Sequence, residues 1–305
     1  MPIKLGTNKI ALPYSKAYLG SNLVYQKKQP IFVAVGNKVA YSSTDGINWT
    51  AMTFPGVSST YLPNLYDVTF GNNRFVAVGP SGSTYYSKDG KTWTAGTDLG
   101  NVTINAIAYN GTNRFVAVGS GGNYRVYYST AGSSWTKGGG LSTSYKYYTV
   151  AYGAGKFIAG GEREYYSEDG ISWTLLSSHS GYTFRGMTYA NNMFVATCSD
   201  GIRYSTTGLD WTFANGATSS TSEVAYGNNK FIAIGAGNYS STDGINWTSI
   251  DVPTANDIVF GDNKFVIVGG GVTSGGTAYS STDGINWTAM NGLSTYCSAV
   301  AYGEI

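Results

Sequence analysis

The chain has 305 residues, of which 42% are hydrophobic and 12% charged, a balance that excludes intrinsic disorder and allows one large core. With 42 glycines, 26 tyrosines and no runs of Glu, Leu and Ala, the composition favours strands and tight turns, so the expected class is all-β. The formal charge of +2 comes from interspersed Lys and Arg without a basic block, which leaves no electrostatic case for nucleic-acid or membrane-surface binding.

In chain order, residues 1–30 come first, as an arm and linker. The opening "MPIKLGTNKI" lacks the apolar segment of a secretory signal, and no apolar run reaches membrane-spanning length, so a soluble protein without membrane insertion is expected. A half-repeat, "KLGTNKIAL" from Lys4 against "YLGSNLVYQ" from Tyr18, predicts two short strands with Gly-centred turns before the polar linker "QKKQP". From residue 31 to 305 one unit recurs. Its markers are Trp49, Trp93, Trp135, Trp173, Trp211, Trp247 and Trp287, each three residues after a glycine and 36 to 44 residues from the next tryptophan. An apolar strand such as "FVAVG" also occurs seven times, at Phe32, Phe75, Phe115, Phe157, Phe194, Phe231 and Phe265. A shorter strand of the "VAYG" type also occurs seven times, but displaced: the first "FVAVG" has none before it, and the last "VAYG", at Val300, has no "FVAVG" after it.

Each unit therefore reads as four strands, with hairpin turns such as "NN" and "DG" between them. Seven such sheets predict a seven-bladed β-propeller, since closing the ring removes exposed edges. The displacement predicts that the C-terminal strand closes the first blade. Cys198 and Cys297 are too few for a disulfide framework and are expected as packed residues.

The hairpin "S-x-D-G-x-x-W" at Ser43, Ser87, Ser167, Ser241 and Ser281 resembles the Asp-box of sialidases and related propellers, over Ile31 to Gly303. It lacks the residue that the family usually places between Asp and Gly, and Ala131 and Thr207 replace the Asp in two blades. The resemblance implies a folding role for Asp45, Asp89, Asp169, Asp243 and Asp283, whose carboxylates would cap the turn while the Trp packs between sheets. The string "AYLGSNLVYQ" resembles short modules of tailed-bacteriophage tail and virion proteins, which implies a virion location assembled in the host cytoplasm.

Strand direction puts the tight turns on one face and the long, variable loops on the other, where recognition usually sits. The loop-face candidates for ligand binding are Tyr61, Tyr145, Tyr147, Tyr182 and Tyr296, as stacking rings, and Arg125, Arg163, Arg185 and Arg203, as an anion-binding cluster. Local pairing, for example of Arg163 with Glu162 or Glu164, is the alternative. Asp67, Glu223 and Asp257 fall at matching starts of the inner strands and either hold a cation or line a solvated pore. The lone His179 sits in a polar loop without a catalytic neighbour.

A sialidase needs an arginine triad, a tyrosine nucleophile with a glutamate partner, and an acid/base residue. Its phenylalanine-arginine-isoleucine-proline motif has no match; "FRGM" at Phe184 lies in the fifth blade rather than the first. No catalytic residue, metal ligand or cofactor is therefore assigned. The leading expectation is a phage or prophage virion protein of tail-fibre, baseplate or decoration type. It would bind other virion proteins through residues 1–30 and present the propeller to host-surface polysaccharide or protein; a homo-oligomer stays open, since no heptad run specifies one. The alternatives are a sialidase-like glycoside hydrolase and a purely structural virion component without ligand.

Overall fold

A computed structural model describes residues 16–19, 22–26, 28–52, 54, 64–176, 181–271 and 275–305. Seven four-stranded antiparallel sheets follow one another, with a separate two-stranded sheet formed by Lys16–Leu19 and Asn22–Gln26. The innermost strands, in blade order from two to seven, are Asp67–Gly71, Thr103–Tyr109, Tyr147–Gly153, Phe184–Ala190, Thr221–Gly227 and Asp257–Gly261; blade one takes Cys297–Glu304. Every innermost strand contacts that of the next blade, the seventh meeting the first, so the ring is closed. Closure follows the displaced repeat: Cys297–Glu304 pairs with Pro30–Gly36, placing Val33 opposite Ala301. Gln29 and Ile305 then exchange backbone hydrogen bonds of 2.7 and 3.0 Å on the tight-turn face.

The "FVAVG" strands are the second in each blade, and sheets cover both of their sides. Their phenylalanines, Phe32, Phe75, Phe115, Phe157, Phe194, Phe231 and Phe265, are buried, each contributing about 2 kcal/mol of transfer free energy. They pack across blade boundaries. Val76 and Val78 of blade two, for example, share one cluster with Ile104, Phe115 and Trp135 of blade three. The first turn of most blades places two consecutive residues at positive φ, as at Asn72 and Asn73 or Asn228 and Asn229, the geometry that suits a two-residue hairpin. The outermost strands are two residues long, which leaves little free edge.

In the "DG" turns the carboxylate gathers the local donors. Asp283 Oδ1 accepts from the Ile285 and Asn286 backbone N–H groups at 2.9 and 2.8 Å and from the Ser281 hydroxyl at 2.9 Å. Asp45, Asp89, Asp169 and Asp243 make the same three bonds. These bonds hold all five carboxyls below the usual carboxylate range. Blade three, with Ala131 in place of the Asp, keeps the serine bond that other blades also make, Ser129 accepting from Gly132 N–H at 2.7 Å, and in blade five Thr207 accepts from Leu209 N–H at 3.1 Å. Trp49, Trp93, Trp135, Trp173 and Trp247 are buried beside these turns, while Trp211 and Trp287 are half-buried.

A second tie on this face was not expected from the sequence. The residue before the blade phenylalanine reaches the turn between the third and fourth strands of the following blade: Arg74 donates to Ala131 O, Arg114 to Asp169 O, Lys230 to Asp283 O and Lys264 to Asp45 O. Cys198 and Cys297 are free and buried, and burial pushes both thiols up to about 12. Among the described residues, no helix is long and apolar enough to cross a membrane.

Candidate functional site: the loop-face mouth of the central channel

The innermost strands begin on the loop face and line a polar channel of about 370 Å³. Five of them carry a β-bulge at one shared position near that end. The register skips Asn105, Tyr148, Arg185, Ser222 and Ser298 and leaves each without a ladder partner. A bulge redirects the side chain of its extra residue, and here it builds a rim: Asn105, Tyr148 and Ser298 line the channel itself. Tyr148, Arg185 and Ser222 line an adjoining hollow of about 410 Å³ with Thr183 and Glu223. Across the mouth, Asn37, Asn64, Tyr66, Tyr296 and Ser298 line a further hollow of about 290 Å³. Tyr66, 41% exposed, belongs to the rim.

Of the described residues expected to bind ligand from this face, the structure brings only Arg185 and Tyr296 to the mouth. Arg185 is exposed and makes no ion pair or hydrogen bond among the described residues. Arg125 is occupied by carbonyls: its guanidinium donates to Tyr145 O at 3.1 Å and Gly122 O at 2.9 Å, and also to Gly121 O and Thr143 O. It pins two loops together. Arg203 pairs with both Asp200 oxygens at 2.7 and 3.0 Å and lies over the Tyr182 ring at 3.6 Å and the Phe213 ring at 5.0 Å. Arg163 sits over the Tyr145 ring at 5.2 Å. The four arginines are therefore not one anion-binding cluster.

Tyr147 and Tyr182 are buried, against Tyr165 and Phe184 respectively, and offer no ring to a ligand. The cause for Tyr147 is strand alternation: successive residues face opposite ways, so the neighbouring Tyr148 is the one at the rim. Tyr61 and His179 lie outside the described residues. Asn105, Tyr148, Ser222 and Ser298 were missed because a bulge leaves no composition signal, and Tyr66, at the matching position of blade two without a bulge, because only alignment of all seven inner strands would have exposed that position.

One residue further along, Asp67, Glu223 and Asp257 line the channel as carboxyls. Asp67 accepts from its neighbour Val68 N–H and from Ile107 N–H of the next blade, both at 2.7 Å. Asp257 does the same with Ile258 and Val300 N–H, both at 2.7 Å. These two carboxylates thus tie adjacent blades at the channel wall. Glu223 has no such donor among the described residues; its Oε2 occupies the space beside Gly186, 2.3 Å from where a Cβ there would stand. All three sit deep in the ring and meet water only through the channel, which explains why they are enclosed by protein yet partly accessible. Burial pushes Asp67 and Asp257 up to about 7, and burial together with the two aspartates pushes Glu223 well above the ordinary value.

No family model and no curated protein matches the chain. Among solved structures, it is similar to that described as YCF48 bound to D1 peptide, with 16% identity, 80% of this chain and 93% of that chain covered, and a TM-score of 0.58. It is also similar to the computationally designed Ika8 protein, with 14% identity, 90% and 91% covered, and a TM-score of 0.55. At these identities the likeness extends to the fold.

Proposed function

We propose that the chain is a recognition propeller of a bacteriophage or prophage virion, held through residues 1–30 and binding host-surface glycan or another virion protein at the loop-face mouth. The observation that carries the reading is Arg185: an exposed, unpaired guanidinium on a bulge, flanked by Tyr148, Thr183 and Ser222 in a hollow of about 410 Å³. Hydroxyls, an aromatic ring and a guanidinium in one concavity suit a polar ligand with an anionic group. Polarity of the molecule supports presentation. The chain enters the ring at Pro30 on the tight-turn face, so an anchored arm leaves the mouth directed outward. The propeller described with a bound peptide shares this fold and shows that such a scaffold can serve as a binding module. The Asp-box turns support a structural rather than catalytic role for Asp45, Asp89, Asp169, Asp243 and Asp283, since their oxygens are taken up by local donors.

The test is binding of the full chain to intact bacterial cells and to tail or capsid subunits. Arg185→Ala and Tyr148→Ala are expected to weaken binding at least about tenfold each, which corresponds to about 1.4 kcal/mol, with the thermal midpoint unchanged. Arg203→Ala should instead lower the midpoint. Binding that is indifferent to Arg185 and Tyr148 would sink the reading.

A further inference from the structure

The channel wall carries three carboxyls and no lysine or arginine. The Arg185 guanidinium lies at the rim, in the hollow that Glu223 also borders, and the other titratable groups of the wall are the phenols of Tyr66, Tyr148 and Tyr302. A buried carboxyl ordinarily has a donor or a counter-charge. Asp67 and Asp257 have backbone N–H groups; Glu223 has neither kind of partner among the described residues, although it is deep in the ring and borders the open channel. Its carboxyl lies beside Gly186, while the other matching positions carry Ala106, Thr149 and Ala299, so the wall does not require an acid at this place.

We propose that the channel binds an aliphatic di- or polyammonium ion, with separate ammonium groups facing Glu223 and the Asp67 and Asp257 side of the wall. A single metal ion fits less well. Its oxygen ligands must lie within about 2.0–2.6 Å of one point, whereas no three acidic, His or Cys side chains come together in that way among the described residues. An extended polycation spans carboxyls spread around a ring. Tyr66 and Tyr148 at the rim add aromatic faces on which a passing ammonium can rest, and the inner-strand edges supply backbone carbonyls as acceptors for its N–H groups. This inference is independent of recognition through Arg185, and the two fail separately.

Proton linkage gives the site a signature. In the empty channel the carboxyls hold protons to higher pH than in the unfolded chain, so a bound cation, favouring their ionised forms, displaces protons. Affinity should therefore rise as pH increases through about 7, the region in which Asp67 and Asp257 titrate. The experiment is calorimetric titration of the full chain with spermidine, and with butylamine for comparison, at about pH 6 and about pH 8 in two buffers of different ionisation heat. Expected are spermidine binding that is at least about tenfold tighter than that of butylamine, stronger at the higher pH, and accompanied by proton release. Glu223→Gln should lose about tenfold or more in affinity. Should the glutamine variant not fold, Glu223→Ala, which matches Ala106 in blade three, gives the same reading. Absence of spermidine binding up to about 10 mM, a concentration that corresponds to under about 3 kcal/mol, overturns the proposal. So does equal binding by the Glu223 variants or equal binding of butylamine.

Discussion

Carboxyls in this protein divide into two kinds by environment, and the division sets how each responds to pH. The aspartates of the "DG" turns are anchored as anions by two backbone N–H groups and a serine, and their carboxyls lie below the usual range. A folded-state value below the unfolded one means stability that is fully present above about pH 4, the unfolded value, and that declines as pH falls towards the folded value. The channel acids have the opposite sign: their folded values are raised, so they oppose stability as pH rises from about 4 through 7. For such a turn aspartate the magnitude is bounded by the molecule itself, because blades three and five keep the turn with Ala131 and Thr207 in that place. Asp243→Ala should thus cost about 1 kcal/mol at neutral pH, the worth of a capping carboxylate, rather than unfolding the chain. Urea titrations at about pH 7 and about pH 3 provide the check: the deficit should shrink at the lower pH. A deficit independent of pH would mean that the carboxylate charge is not what holds the turn.

At the scale of the strand, the inner element explains both what the sequence disclosed and what it concealed. The "VAYG" motif was legible because it repeats, and its last residue has a packing cause. The ring of the next blade's inner strand lies directly on Gly71, Gly153 and Gly227, where a Cβ would stand 2.3, 2.0 and 2.0 Å from Tyr109, Tyr189 and Phe260. Ala190 fills this place in blade five, so one methyl can be accommodated by adjustment. Gly227→Val is therefore expected to overpack the boundary of blades six and seven and to cost about 1–3 kcal/mol, measured as a lower urea midpoint with the slope unchanged. Full wild-type stability would contradict the close approach. The bulges five residues upstream were not legible, because one inserted residue leaves the apolar pattern of the strand intact while reversing which side chain reaches the rim. Tyr147 was expected there and Tyr148 is found there. Arg125 and Arg203 were misplaced for a different reason: a sequence shows charge but not the Gly121 and Thr143 carbonyls, or the Tyr182 and Phe213 rings, that occupy those guanidinium groups.

For the whole molecule, ring closure is the decisive event, and it rests on one strand. Cys297–Glu304 supplies the inner strand of blade one and touches the inner strands of blades two and seven, so its loss opens three contacts at once. It would also uncover Val33 and Val35 with their ladder groups, on a strand otherwise buried on every side. The open edge is a template for association with other chains. Deleting residues 297–305 should accordingly remove stability comparable to that of an entire domain, roughly 5–15 kcal/mol, and yield an aggregating chain without a cooperative transition. Shifting the same segment to the front of the ring separates strand loss from chain shortening. Gln29 and Ile305 already pair at 2.7 and 3.0 Å, so a short linker can join them, and the break then falls in the loop between blades seven and one. That permuted chain should unfold cooperatively within a few degrees of the parent, since the closing strand remains and the ring is completed by packing between blades. If the permuted chain aggregates as the deletion does, closure depends on the order of the chain rather than on the strand that fills the gap.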